Sequence, residues 1–370
     1  MHKKFRESER VLPKAFILML VMVTSAYSEV SKQYLPAFSL RATNGEIYSQ
    51  SDFNDKKVIG IVFLSNHCKV SQLFQNHLMA LTRKYSKNVV IIAVSPNYEQ
   101  SILPDELAYS DLGDSFQDMV KRANRMKYNF PYLYDGNDQN LTKEIGAKIT
   151  PTIYLYNQDR ELFYSGRIGN IDSPDNMETS EVNQAISSLL IGEKTSFKRT
   201  KVFGTAIKTK NHLLVAEQVR QRYADEKVRL SEADARKLNF YLTHNTRKPK
   251  LFYVWQTNDG KTRDNLIKLS FLYKIFRKRG LKLITVCIAK KNEKERIVEF
   301  LENSQLSSTN FIVYGHHISP LASIIPDEVE KVTPYYRLLS SRGDKLLGSH
   351  GEISTDSLRI EIVKALDDSK

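Results

Sequence analysis

The stretch FLSNHCKVSQ, residues 63–72, closes the apolar run VIGIVFL and opens a helical pattern, which puts Cys68 at the junction. Ser71 follows three residues later, where a Cys-x-x-Cys pair would carry its second sulfur. A hydroxyl at that place can donate a hydrogen bond to a thiolate but cannot displace a mixed disulfide. Any covalent adduct on Cys68 must then be released by an outside thiol. His67 and Lys69 flank the sulfur, and each adds positive charge when protonated. The other cysteine, Cys287, lies inside LKLITVCIA (281–289), which reads as a buried strand. These two contexts argue against a disulfide, and Cys287 could serve as a resolving thiol only if its strand reached the first junction.

Other chemistry-bearing residues form no convincing constellation. His316 and His317 are adjacent, with no Cys, Asp or Glu at ligand spacing, and read as loop histidines rather than a metal site. Asn140-Leu141-Thr142 fits the glycosylation pattern. The sequence holds no phosphate-binding glycine loop and no serine–histidine–aspartate arrangement, and it implies no cofactor.

The elements that must position Cys68 follow from periodicity. Residues 57–64 read as a strand, 70–85 as a helix with Leu73, Phe74, His77, Leu78 and Leu81 on one face, and 89–94 as a second buried strand. An insertion of about thirty residues follows, helical over SFQDMVKRANRMKYN. Then come PYLYDG, a short helix around 141–146, a hairpin of 152–156 and 161–165, and a helix over 181–190. After a charged, partly helical connector the pattern repeats: KPKLFYVW, a helix, LKLITVCIAKK, a second helix over 293–303, and a proline loop with a hairpin in KVTPYYRLLSSRGDKLLGSHGEI.

FLSNHCKVSQ, FPYLYDG, the ITPT loop and GRIGN together resemble exported redoxins of the thioredoxin-like superfamily that includes the alkyl hydroperoxide reductase and thiol-specific antioxidant proteins. The resemblance covers residues 35–195. It implies an α/β fold of two tandem thioredoxin-like domains, each a central mixed sheet flanked by helices. It also implies that Cys68 is a nucleophile at the first turn of a helix, where unpaired N–H groups favour the thiolate. Pro151, after Thr150, matches the family's cis-proline, which packs against the cysteine and leaves backbone groups free for an extended substrate. Pro334, after Thr333, matches it in the second half. There Asn258-Asp259-Gly260-Lys261-Thr262 stands where relatives carry a cysteine pair, so the second domain is degenerate.

Lys3, Lys4, Arg6, Arg10 and Lys14, the apolar run 15–23, and Ala26 and Ser28 at the −3 and −1 positions read as a signal peptide over residues 1–28. The expected domains are residues 29–195 with Cys68, a basic connector 196–245, and the degenerate domain 246–370. Export places the body in the periplasm or outside the cell; an uncleaved signal would anchor it. The chain's net charge of +13 is uneven. Residues 29–193 hold 16 Lys/Arg and 20 Asp/Glu, a net of −4, whereas residues 194–370 hold 34 and 20, a net of +14. Opposite signs favour docking of the halves, or attraction of the basic half to an acidic partner or an anionic membrane surface. Without a zinc finger, an aromatic RNA-binding signature or a long polybasic tract, nucleic acid is not an expected partner.

The function expected is monothiol thiol–disulfide exchange through Cys68. Ser71 serves as hydrogen-bond donor, Thr150 and Pro151 as the docking edge, disulfide- or thiol-bearing proteins as substrates, and an external thiol as reductant. One alternative is a non-catalytic interaction module with two proline-loop grooves. Another is a one-cysteine peroxidase, with Ser65 three residues before the cysteine and Arg167 to polarise peroxide, although Ile61 stands where peroxiredoxins carry proline.

Overall fold

The computed structural model describes residues 33–193, 198–244, 247–258, 260–315 and 334–369. The expected signal peptide, His316, His317, Asp259 and Thr333 lie outside them. Residues 34–370 form one compact unit.

The first sheet runs in the order Tyr132–Tyr134, Val89–Ser95, Val58–Phe63, Thr152–Tyr156, Leu162–Gly166. The first three strands are parallel, Thr152–Tyr156 is antiparallel to the central strand, and Leu162–Gly166 is antiparallel to Thr152–Tyr156. Val58–Phe63 is central, and all six of its residues are buried because helices or loops cover both sheet faces. One face packs Val62, Leu78, Leu81, Ile153 and Ile186 together, and the other packs Ile59, Ile61, Phe63, Ile92 and Leu133. A parallel neighbour demands a crossover. The helix Gln75–Tyr85 supplies it.

The helix expected over 70–85 is in fact two, Lys69–Leu73 and Gln75–Tyr85, broken at Phe74 (φ −96°, ψ 3°). The break turns the Phe74 ring into the core and leaves Leu73, expected on the apolar face, 38% exposed. Helix Phe116–Met126 begins at Ser115, whose side chain accepts from the Asp118 N–H. Helix Glu181–Ile191 begins at Ser180 in the same way and ends at Gly192 in the left-handed region.

The second sheet repeats the first with one strand more: Leu230–Glu232, Thr309–Tyr314, Lys282–Ala289, Lys250–Trp255, Tyr335–Leu339, Lys345–His350. The first four are parallel, and the hairpin after them is antiparallel. Helices Thr262–Phe276, Lys294–Asn303 and Thr355–Asp367 pack on it. Both lobes therefore have the thioredoxin-like mixed sheet. The segment between them is more than a connector: Leu230–Glu232 is an edge strand of the second sheet, and Thr205–Ala206 pairs with Ile149–Thr150 of the first lobe.

The insertion after Ser95 ties the lobes together. Its turn Pro104–Tyr109 lays Ala108 into the second lobe's core among Leu269, Leu272 and Phe276. Around it, Lys278 pairs with Asp105 (2.8 Å), Arg279 donates to the Ala108 carbonyl (2.6 Å) and to Asp367 (2.9 Å), and Arg359 donates to the Ser110 carbonyl (3.1 Å). Lys69 and Lys121 of the first lobe bind Asp367 (3.0 Å) and Asp356 (2.7 Å) of the second. The pairs run in both directions, so local complementarity rather than net charge sets this docking.

The Arg279 side chain is 7% exposed, and its guanidinium also lies 4.7 Å over the Tyr109 ring. Arg279→Ala strips the Ala108 carbonyl and the Asp367 carboxylate of a partner, and stability measured by urea unfolding should fall by about 1–3 kcal/mol. A loss within error would show that Arg279 adds nothing measurable to the other links between the lobes.

Candidate functional site around Cys68

Cys68 ends the loop that leaves the central strand and is itself the cap of helix Lys69–Leu73 (φ −78°, ψ 113°). The Ser71 N–H points at Sγ from 3.4 Å, and the Gln72 N–H reaches the Cys68 carbonyl at 3.1 Å. As a thiol, Sγ–H donates to the Thr150 carbonyl at 3.1 Å. The thiolate is favoured by the polar groups of Thr205 and Ser71, the Ser71 N–H among them. Burial alone pushes the thiol up, but those groups outweigh it and hold Cys68 below the ordinary value of 9.0. The sulfur is covered: Cys68 is 0% exposed.

The loop before Cys68 is fixed by a carboxylate from the insertion. Asp114 Oδ1 accepts from the Asn66 N–H (2.7 Å) and the His67 N–H (3.2 Å). Its Oδ2 accepts from His67 Nδ1 (2.9 Å) and from Asn97 Nδ2 (2.6 Å). Asn66 Nδ2 donates to the Gly113 carbonyl at 2.7 Å, closing the same junction. Burial pushes Asp114 up, yet the His67 charge and these hydrogen bonds hold it below 3.8. Burial pushes His67 down, yet Asp114, and after it the charge on Cys68, holds it above 6.5. The pair is an imidazolium and a carboxylate, both buried, next to the sulfur. Among the described residues His67 Nε2 has no hydrogen-bond partner.

Of the residues singled out in the sequence, Cys68, Ser71, Thr150 and Pro151 come together. The Thr150–Pro151 bond is cis, and Thr150 is buried. Pro334 is described, but the bond before it is not. Lys69 does not lend its charge to the sulfur alone, because it is bound by Asp367. Arg167 is engaged by Glu181, through Nε at 2.6 Å and through Nη2, and does not figure among the contacts of Cys68. Cys287 is a free thiol inside the second lobe's core, and burial pushes it far up. At the second junction Thr262 is buried, its hydroxyl donating to the Gln256 carbonyl (3.0 Å). Among the described residues no cluster of three His, Cys, Asp or Glu could hold a metal ion.

Sequence reasoning missed Asp114 and Thr205. Asp114 is one acid among several in the insertion, 47 residues from His67, and Thr205 sits in a strand of two residues. Neither position carries a spacing signal.

A mixed sheet of this order, with a cysteine at the end of its central strand and a proline loop against the sulfur, defines a thioredoxin-like lobe. Residues 32–165 match the model of the AhpC/TSA family. No curated protein matches the chain. Among solved structures, a hypothetical protein from Sinorhizobium meliloti 1021 is 23% identical, over 48% of this chain and 94% of that one, at a TM-score of 0.42. An uncharacterized conserved protein from Geobacillus kaustophilus is 28% identical over 48% and 92%, also at 0.42. A thiol-disulfide oxidoreductase from Bacteroides fragilis NCTC 9343 is 16% identical over 36% and 88%, at 0.29.

The linkage has opposite signs on the two sides of the ion pair. Asp114, held below 3.8, contributes stability that is present above that value and lost as pH falls through the lowered one. His67, held above 6.5, contributes below that value and loses its contribution as pH climbs through the raised one. Asp114→Asn should therefore cost most in the window between, about 3 kcal/mol or more for a buried charge left alone, and less in alkali. It should also move the midpoint of Cys68 alkylation upward. An unchanged midpoint would show that the pair shapes the loop without acting on the sulfur.

Proposed function

We propose that Cys68 carries out monothiol thiol–disulfide exchange on disulfide-bearing protein clients, with an external thiol completing each cycle. One observation carries the reading: a thiol held acidic by Ser71 and Thr205 stands with a hydroxyl where a second sulfur would be, while the chain's other thiol is buried in the opposite lobe. The thiolate attacks a client disulfide, forms a mixed disulfide, and expels the client's second sulfur as a thiolate. Ser71 stabilises the thiolate before attack and after release. Thr150 and Pro151 form the edge on which the client lies. The redoxin match over 32–165 supports the same assignment. The engagement of Arg167 by Glu181 weighs against the peroxidase alternative.

Residues 29–195 would be the reactive domain, 196–245 the segment threading both lobes, and 246–370 a scaffold without redox chemistry. The N-terminal run places this activity in an exported compartment, periplasmic or extracellular. Among the described residues no helix is long and apolar enough to cross a membrane. A second reading, a binding module that never turns over, draws on the complete burial of Cys68.

Incubation of the full chain with a disulfide-bearing protein, quenched with acid and alkylating agent, should yield a mixed disulfide that Cys68→Ala lacks. Turnover should rise in proportion to added glutathione. Identical adducts from the wild type and Cys68→Ala would favour the binding module instead.

A further inference from the structure

The chain crosses its own reactive edge. Lys198 and Thr200 are tied to the hairpin strand, with the Ser165 N–H donating to the Lys198 carbonyl (3.0 Å) and the Thr200 N–H to the Ser165 carbonyl (3.1 Å). The Thr200 hydroxyl also meets Tyr164 Oη at 2.7 Å and the Arg167 N–H at 3.0 Å. Five residues on from Thr200, Thr205 pairs with Thr150 and Ala206 with Ile149, antiparallel. The far end is pinned: the Ile207 N–H donates to the Lys148 carbonyl (2.9 Å), the Lys208 N–H to Asn97 Oδ1 (2.7 Å), and Lys208 Nζ pairs with Glu106 (2.6 Å). Between the anchors Lys201 and Phe203 stand exposed, the ammonium 5.2 Å from the ring centroid.

The fit at the sulfur is close. Gly204 has φ +149°, and a Cβ there would collide with the Thr150 carbonyl and lie 3.1 Å from Pro151 Cδ. Only a residue without a side chain lets the strap settle this near the proline loop. That settling sets Thr205 opposite Thr150, whose carbonyl meets Cys68 Sγ at 3.1 Å, and Thr205 is one of the groups that hold the thiol low. The strap thus makes the backbone pairs an added strand makes, and its Thr205 stands across from the residue whose carbonyl Cys68 Sγ meets.

We propose that Gly204-Thr205-Ala206 is the chain's own stand-in for a client segment. The client class it specifies is an extended peptide with glycine before its reacting cysteine and a small residue after it, laid antiparallel on Ile149–Thr150. The inference rests on the exchange reading above and deepens it. The client's sulfur takes the place of the Thr205 side chain once the strap lifts. Cys68 thiolate bonds to that sulfur, the client disulfide breaks, and its second sulfur leaves as a thiolate. An external thiolate then attacks the client sulfur, freeing Cys68 and leaving the client bonded to the external thiol.

Three measurements on the full chain test this. Thr205→Cys, treated with oxidised glutathione and alkylated after denaturation, should retain one labelled thiol of three, because the introduced cysteine bonds to Cys68; the same variant with Cys68→Ala should retain both of its thiols. Gly204→Val should lift the strap and speed Cys68 alkylation above its midpoint at least about tenfold, since reactivity scales with the open fraction. On Gly204→Val, the peptide Lys-Val-Phe-Gly-Cys-Ala-Ile, activated as its 2-thiopyridyl disulfide, should react about tenfold faster than the peptide with valine for glycine, because the bulkier residue cannot seat on the proline loop.

Absence of the internal disulfide together with unchanged alkylation overturns the strap assignment, while exchange remains to be judged by client trapping. Equal rates for the two peptides overturn the client class. The internal disulfide and faster alkylation without any client adduct uphold the strap and sink the exchange reading. Because Thr205→Cys is nearly isosteric, the first measurement holds even if Gly204→Val fails to fold.

Discussion

A carboxylate buried to 1% exposure must find donors or lose its charge, and at Asp114 that requirement organises the whole reactive region. Four donors meet it, and between them they serve three structural tasks. The Asn66 and His67 N–H groups fix the backbone that delivers Cys68 to its helix. The His67 ring meets the carboxylate through Nδ1, and Asp114 holds the imidazole above its ordinary value. Asn97 donates to the same carboxylate and, through its own Oδ1, accepts from the Lys208 N–H, so the strap's far anchor depends on the carboxylate as well. Sulfur, imidazole and strap are held by one ionised group.

That group comes from the insertion, and the insertion is braced by the second lobe. Ala108 is part of the second lobe's core, and Arg279 and Arg359 hold the carbonyls of Ala108 and Ser110, a few residues before Asp114. A loop of this length would otherwise have to order itself at the full cost of its backbone entropy. This gives the second lobe a physical use in bracing the site. Its central strand and junction helix are packed as tightly as those of the first lobe, with Trp255, Leu266 and Leu269 fully buried, but Thr262 takes the junction and Cys287 points into the core.

How much of this could be read from sequence follows from what kind of force places each residue. The central strands are legible because VIGIVF and LITVCIA must be covered on both faces, which leaves a continuous apolar run. The repeat of that pattern points to a second sheet, and a cysteine at the end of one such strand marks the candidate site. The break at Phe74 is not legible, since a helix of either phase would bury enough apolar surface; only the packed ring decides. Asp114 is invisible because long-range hydrogen bonding leaves no periodic trace. Thr205 and Ala206 are invisible because two residues are too few to alternate. The net charges of the halves predicted attraction, yet Lys69 and Lys121 bind acids of the basic half, for ion pairs answer to neighbours within a few ångströms.

The strap joins two properties of the sulfur that are separable in most reactive thiols. Thr205 is one of the groups that favour the thiolate, so the covered state is the more acidic one. Lifting it exposes the sulfur and removes that contribution at the same moment, raising both the thiol pKa and the intrinsic nucleophilicity of the thiolate that remains. A client that replaces the strap restores the backbone pairs along Ile149–Thr150 and brings a sulfur that accepts attack. Opening without a client leaves that edge unpaired, and this cost keeps the thiolate covered until a strand of the right shape arrives.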